Sequence, residues 1–243
     1  MISFFHTVLY IPIYNLLIFL VDVIPGGDIG LAVIAATIIV KVVIMPLSFA
    51  ALRTSRAVKA IEPELKTLKE EYKDDKEGLA RETFAIYKKY GINPFAGILT
   101  LFIQFPIVIT LYWVFRTESL PGVDASLLYS FIHAPDTASP LFLGLILITS
   151  SSLILAVLVG ITSYIQAVYA LPLPAKPEPG AKPNMQADIG RAMALQMRYI
   201  LPILTAVIAY ASAALALYFI TSNLLSIFQE YIVRLKKLPT PSV

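Results

Sequence analysis

Apolar residues in this chain gather into blocks of bilayer length, and most of the charge falls between them. A helix crosses the hydrocarbon core with about 20 mostly apolar residues. Residues 29–52 qualify, with Lys41 as the only charge inside. Residues 94–115 and 141–170 are two further runs without charge, and 192–233 is a longer one carrying only Arg198 and Glu230.

Charge placement decides how the last run is divided, because cytoplasmic loops collect Lys and Arg. Ten of the 19 basic residues lie in 53–90, four in 171–198 and three in the tail from Arg234; residues 1–28 hold none. One span across 192–233 would place the basic tail outside. Two spans, 192–211 and 213–233, turning at Ala211–Ser212, keep all of these charges inside. The pattern therefore predicts five spans (29–52, 94–115, 141–170, 192–211 and 213–233), with the N-terminus out and the C-terminus in. The loop 116–140 then lies outside, and 171–191 and the tail 234–243 lie inside. Residues 171–184 carry five prolines, the composition of an extended linker.

Residues 1–28 precede these spans. The apolar stretch 1–24 is interrupted by Pro12 and Asn15, has no basic residue ahead of it as a signal peptide would, and is rich in Tyr and Phe. It reads as a helix lying on the outer surface, with a sixth span as the alternative. The segment 53–91 differs in kind. It mixes acids and bases, and Val58, Ile61, Leu65, Leu68 and Tyr72 recur at spacings of three and four. That is one face of a helix pair. A turn follows at residues 74–78, then a second helix with Leu79, Phe84 and Tyr87 inward, stopped by Gly91 and Pro94. The prediction is a cytoplasmic helical hairpin.

Composition narrows the function. Hydrophobic residues make up 58% and charged residues 14%, against roughly 25% charged in a soluble domain, so lipid must be the solvent. Without cysteine there is no disulfide, thiolate metal site or thiol nucleophile, and His6 and His133 have no metal-ligand spacing. No P-loop, dinucleotide fingerprint, HExxH or intramembrane carboxylate pair is present. The sequence predicts neither an enzyme nor a metal or cofactor site.

Lys41 is the most informative residue. Thirteen positions after Asp28 and twelve before Arg53, it stands near the middle of its span. A lysine there costs roughly 2.5–3.5 kcal/mol on insertion scales, and its stem is too short to reach either surface. It must face a watery cavity or, if neutral, hydroxyls and carbonyls; the lack of an acidic partner in the core spans favours the cavity. Thr37, one turn earlier, shares its face. Pro46 frees the carbonyl of Val42 and predicts a bend. Gln104 lies mid-span in the second run. Tyr218, Thr221 and Ser222 share a face of the last, with Asn223 turned away. Most of the Ser and Thr in the third run read as glue between helices, whereas Lys41, Thr37, Gln104 and Tyr218 together suggest a shared polar interior.

Three stretches add a resemblance. TIIVKVVIMPL (37–47) precedes the charged hairpin; IYKKYGINPFAGILTLFIQFPIVITLYWVF (86–115) follows it; LALYFITSNLLSIFQ (215–229) comes near the end. In this order and spacing the chain resembles the YidC/Oxa insertase family over nearly its whole length. The resemblance implies an all-α polytopic protein of the bacterial cytoplasmic membrane. Five helices would surround a hydrophilic groove open to cytoplasm and lipid, with no large periplasmic domain. It places Thr37, Gln104, Phe105, Val108, Tyr218 and Phe219 along the client path. At the position of Lys41 most bacterial members carry arginine. The partners it implies are nascent membrane proteins, lipid, the ribosome, a targeting receptor and the Sec translocon, with no sequence-specific nucleic-acid binding. Two other classes fit the composition: a small-ion or proton-coupled transporter built on Lys41, and a Sec-associated assembly factor without insertase activity of its own.

Overall fold

The computed structural model describes residues 6–73, 75–92, 107–114, 123–170 and 191–235. They are mostly helical and fall into two units, residues 1–42 with 106–230 and residues 43–105 with 231–243. Among the described residues, His6–Val23, Leu153–Ala170 and Arg191–Tyr210 are long and apolar enough to cross a bilayer. Ile29–Val43 and Met45–Val58 make a fourth if the pair is one span. The chain is thus a helical membrane protein.

The first unit begins with a π-turn, His6–Tyr10, that leads into α1, Ile11–Val23. Pro12 does not interrupt this helix. The helical run His6–Val23 passes through it, with the wider π-turn directly before it. Tyr14, Leu17, Ile18 and Val21 recur at helical spacing and are buried. Asn15 is a bracket rather than a break. Its amide donates to the carbonyls of Ile11 and Leu127, both at 2.8 Å, and its carbonyl oxygen accepts the N–H of Tyr129 at 2.7 Å. Beside it, the Tyr14 hydroxyl accepts the N–H of Asp124 at 2.9 Å. The Ser126 hydroxyl and N–H hold the Asp124 carboxyl below the usual carboxylate range.

Helix α2, Ile29–Val43, follows a tight turn at Pro25–Gly27. Gly27 has a positive φ of 62°, and a Cβ there would collide with the carbonyl of Thr137, so only glycine fits. The close approach lets Ser139 donate to Gly27 O at 2.8 Å and accept from Ile29 N at 3.1 Å. Asp28 then caps α2. One carboxylate oxygen takes Leu31 N at 3.0 Å and the other takes Leu143 N at 2.7 Å.

The apolar run 141–170 is not one helix. Leu141–Phe142 (β1) and Ile146–Leu147 (β2) form a small antiparallel hairpin, and helix α6 occupies only Leu153–Ala170. Leu143 and Gly144 both have positive φ, which gives the turn its tight form. The run 192–233 is two helices. Residues 191–195 and the π-turn Gln196–Ile200 lead into α7, Leu201–Tyr210, and α8 is Ala213–Leu235. The first N–H groups of α8 have no intrahelical partner. Segment 148–150 supplies carbonyls instead: Ser150 O accepts Ala213 N at 2.8 Å, and Ile148 O accepts both Ala214 N at 3.0 Å and the Ser212 hydroxyl at 2.8 Å. At 23 residues α8 is long enough to span, and Ser222, Asn223, Ser226, Gln229 and Glu230 give its later part a polar character.

In the second unit Met45–Ala60 (α3) is followed by Glu62–Glu71 (α4) and Lys76–Lys89 (α5). Pro63 restarts the helix, so the predicted first arm breaks at Ile61, which is buried. Asp75 caps α5 by accepting Gly78 N at 2.8 Å. Gly91, at φ 62°, ends the helix and lets Ile92 N reach back to Tyr87 O at 2.8 Å. Across the hairpin Tyr90 donates to Glu64 at 2.8 Å, and Lys89 lies 3.4 Å from the same carboxylate. The Tyr90 hydroxyl first, and then the Glu64 charge, hold the Lys89 ammonium above its ordinary 10.5. A raised value means that this clasp is complete below pH 10.5 and fades only above it. Exposed as it is, it adds little stability.

One residue of the predicted hairpin core is corrected. Phe84 is 58% exposed. Leu79, Thr83 and Ile86, spaced four and three apart, are less exposed, as is the predicted Tyr87, and Phe84 lies one residue, about 100°, beyond Thr83. Ile61→Ala should therefore weaken the hairpin by about 2–5 kcal/mol and speed limited proteolysis of 53–91 in detergent. Phe84→Ala should stay within about 0.5 kcal/mol of the parent. Equal protease sensitivity of the two variants would overturn this packing.

Candidate functional site

The site is built from the last turn of α2 and the polar face of α8. Pro46 has no N–H for the carbonyl of Val42 and its ring crowds that carbonyl, and the helical run is interrupted at Ile44. The break has an electrostatic result. Lys41, central in the apolar block, stands in the last turn of α2, where the partial negative charge of the helix end favours a cation by roughly 0.3–1 kcal/mol.

Across from it, Lys41 Nζ donates to Ser226 Oγ at 3.2 Å, and Ser226 Oγ donates to Ser222 O at 2.9 Å. The directions agree. Ser226 gives its single proton to a carbonyl and keeps lone pairs for the ammonium. Among the described residues this is the one hydrogen bond of Lys41, and no carboxylate pairs with it. An ammonium has three N–H donors, and the described residues take one of them.

Of the residues named from the sequence, Ser222 and Tyr218 are buried on the same stripe of α8 as Ser226. The Tyr218 ring meets Phe219 edge-on at 5.3 Å. Thr37 is buried on the Lys41 face but is not joined to it: its hydroxyl donates to Val33 O of its own helix at 2.6 Å. Thr221 and Phe219 are half-buried, as is Val108 on the helical residues 107–114; Gln104 and Phe105 lie outside the described residues. Ser226 was missed, although the spacing 218, 222, 226, 229 was available as a signal. Gln229 continues that stripe, 4% exposed, with a buried Nε2 that has no hydrogen-bond partner among the described residues.

A separate, apolar groove of about 570 Å³ runs between α6 and α7. It is lined by Leu153, Gly160, Tyr164, Tyr199, Pro202 and Tyr210 among others, and shares no residue with the Lys41 set. Among the described residues no group of His, Cys, Asp or Glu could hold a metal ion.

Apolar helices, a half-buried cation within one of them and a polar helix face define a membrane protein with a polar site among its helices. The family described as 60Kd inner membrane protein matches residues 20–239, and the chain belongs to it. The chain is 31% identical to the membrane protein insertase YidC of Clostridium tetani over 211 residues, 86% of this chain and 83% of that one. It is 33% identical to the membrane protein insertase YidC of Francisella tularensis subsp. novicida over 207 residues. That match takes in 85% of this chain but only 32% of the relative, so this chain spans about a third of the Francisella protein.

Ser226→Ala should cost about 1.5–3 kcal/mol, the value of a hydrogen bond to a charged group, read as a lower unfolding midpoint in detergent. Lys41→Met combined with Ser226→Ala should cost less than the sum of the two single changes. Strict additivity would remove the pairing.

Proposed function

We propose that this chain is a membrane protein insertase in which Lys41 receives the acidic residues of a client's hydrophilic flank. The observation behind the reading is an intramembrane lysine bonded to one neutral hydroxyl, with no carboxylate partner among the described residues. A structural ion pair would have brought its own acid. Against the described residues this cation uses one of its three donors and, in this reading, offers the others and its charge to an incoming group. The polar stripe Ser222, Ser226 and Gln229 extends the hydrophilic surface along α8. A polar flank meets its full desolvation cost only in hydrocarbon, so a hydrophilic surface inside the membrane shortens the costly part of its path.

In this reading five spans enclose a groove open to the cytoplasm and to lipid, with the N-terminus out and the C-terminus in. Thr37, Gln104, Tyr218, Thr221 and Ser222 line the polar path. The client's apolar segment leaves past Phe105, Val108 and Phe219 into lipid. Its partition into hydrocarbon drives the step, which makes and breaks no covalent bond. The hairpin 53–91 receives clients or recruits ribosome, targeting receptor or Sec translocon.

The test is reconstitution of the purified chain alone in liposomes, with a single-span client bearing a short acidic tail, scored by protease protection of that tail. Protection should exceed that of empty liposomes. Lys41→Ala and Lys41→Leu should reduce it about tenfold, the worth of one charge-assisted hydrogen bond, and Lys41→Arg should retain it. Full protection by both Ala and Leu variants would remove Lys41 from the mechanism. No protection by the parent, together with ion flux, would support a transporter instead.

A further inference from the structure

We infer that Asn223 is a positioning residue for the Lys41 site: its amide sets the height and rotation of α8 at which Ser226 meets Lys41. The inference rests on the reading of Lys41 as the cation that receives the client.

Asn223 is 6% exposed and lies about 60° around α8 from Ser226. Its Nδ2 donates to Ser163 Oγ at 2.8 Å and to Thr162 Oγ1 at 3.1 Å, both on α6. Thr162 Oγ1 also donates to Leu158 O at 2.9 Å. The Thr205 hydroxyl of α7 is hydrogen-bonded to Ser163 Oγ at 3.1 Å and lies 2.9 Å from Pro202 O. One amide thus ties α8 to α6 directly and to α7 through Ser163. The polarity is specific. The Thr162 proton is committed to backbone carbonyls of its own helix, so at Thr162 the node needs a donor from α8. A carboxylate of the same shape brings only acceptors.

Asn223 and Ser226 are three residues apart on one helix, an axial rise of about 4.5 Å. Whatever fixes the rotation of α8 at Asn223 also fixes it at Ser226. A side-chain oxygen lies roughly 5 Å from the helix axis, so a turn of about 20° moves it by nearly 2 Å. That displacement breaks a 3.2 Å contact. The stripe facing Lys41 and the amide facing α6 are therefore two sides of one setting. Such bonds between membrane helices are individually weak, so losing them should shift α8 without unfolding the protein.

The chain has no cysteine, which allows a readout independent of insertion. A Lys41→Cys, Ser226→Cys pair in the full-length protein is bridged with a short bifunctional thiol reagent, and the bridged fraction is measured. Asn223→Leu and Asn223→Asp should each lower that fraction by at least about threefold, and so should Thr162→Ala with Ser163→Ala, which removes the acceptors from the other side. In the liposome assay, with Lys41 present, the same changes should reduce insertion of the acid-tailed client more than that of a neutral-tailed one. In a Lys41→Ala background they should cause no further loss on the acid-tailed client. An unchanged bridged fraction overturns the inference, as does equal loss on both clients or the same fold-loss without Lys41. The bridging result does not depend on insertion, whereas the Lys41→Ala arm alone tests the underlying reading, so the two can fail separately.

Discussion

The structure turns on a single constraint, that a polar group surrounded by hydrocarbon must find its partners inside the protein. Lys41 meets it with three features of different origin. Pro46 ends the helical run and places the cation at the negative end of α2. Ser226 offers lone pairs because its own proton goes to Ser222 O. Helix α8 carries the polar residues, Ser222 and Ser226, that present that hydroxyl. The small residues of its first turns, Ala213, Ala214 and Ala216, all buried, let its start pack closely and leave the polar stripe to its later part.

The same constraint explains segment 123–150. Helix starts leave N–H groups without partners, and α2 and α8 both begin against this segment. Asp28 and the carbonyls of Ser139, Ile148 and Ser150 answer them one by one. Asn15 and Tyr14 of α1 meet the backbone of residues 124–129 in the same way. These side chains bond to backbone rather than to one another, so they fix the path of a segment that is largely irregular. The requirement for glycine at residue 27 has the same root, since the exchange of bonds with Ser139 needs the two backbones in contact.

Much of this was legible in the sequence wherever the signal is a period or a charge. The apolar blocks, the helix-breaking Pro46, the inward stripe through Ile61 and the isolation of Lys41 all follow from local pattern. Signals that depend on pairing were not legible. Asn15 looks like an interruption because its partners lie more than a hundred residues away. The run 141–170 looks like one span because hydropathy cannot tell a short apolar β-hairpin from helix. Phe84 looks buried because it is aromatic, and its phase on α5 decides otherwise. Ser226 is an unremarkable serine until α2 is placed beside α8. Gln104 and Phe105 come from the resemblance to the insertase family, and their part in the client path stands as a proposal.

The chemistry of Lys41's partner bears on what a lysine, rather than an arginine, brings to this position. A guanidinium brings five donors in a rigid fork and is well used only by acceptors that match the fork. The partner here is one hydroxyl at 3.2 Å, which suits a compact ammonium able to turn its remaining donors toward whatever arrives. In the proposed role, an acidic residue approaching Lys41 need not match a fixed geometry, because a point charge attracts it from many directions. The same lack of strict geometry favours release as much as capture, which a site that passes each client onward requires.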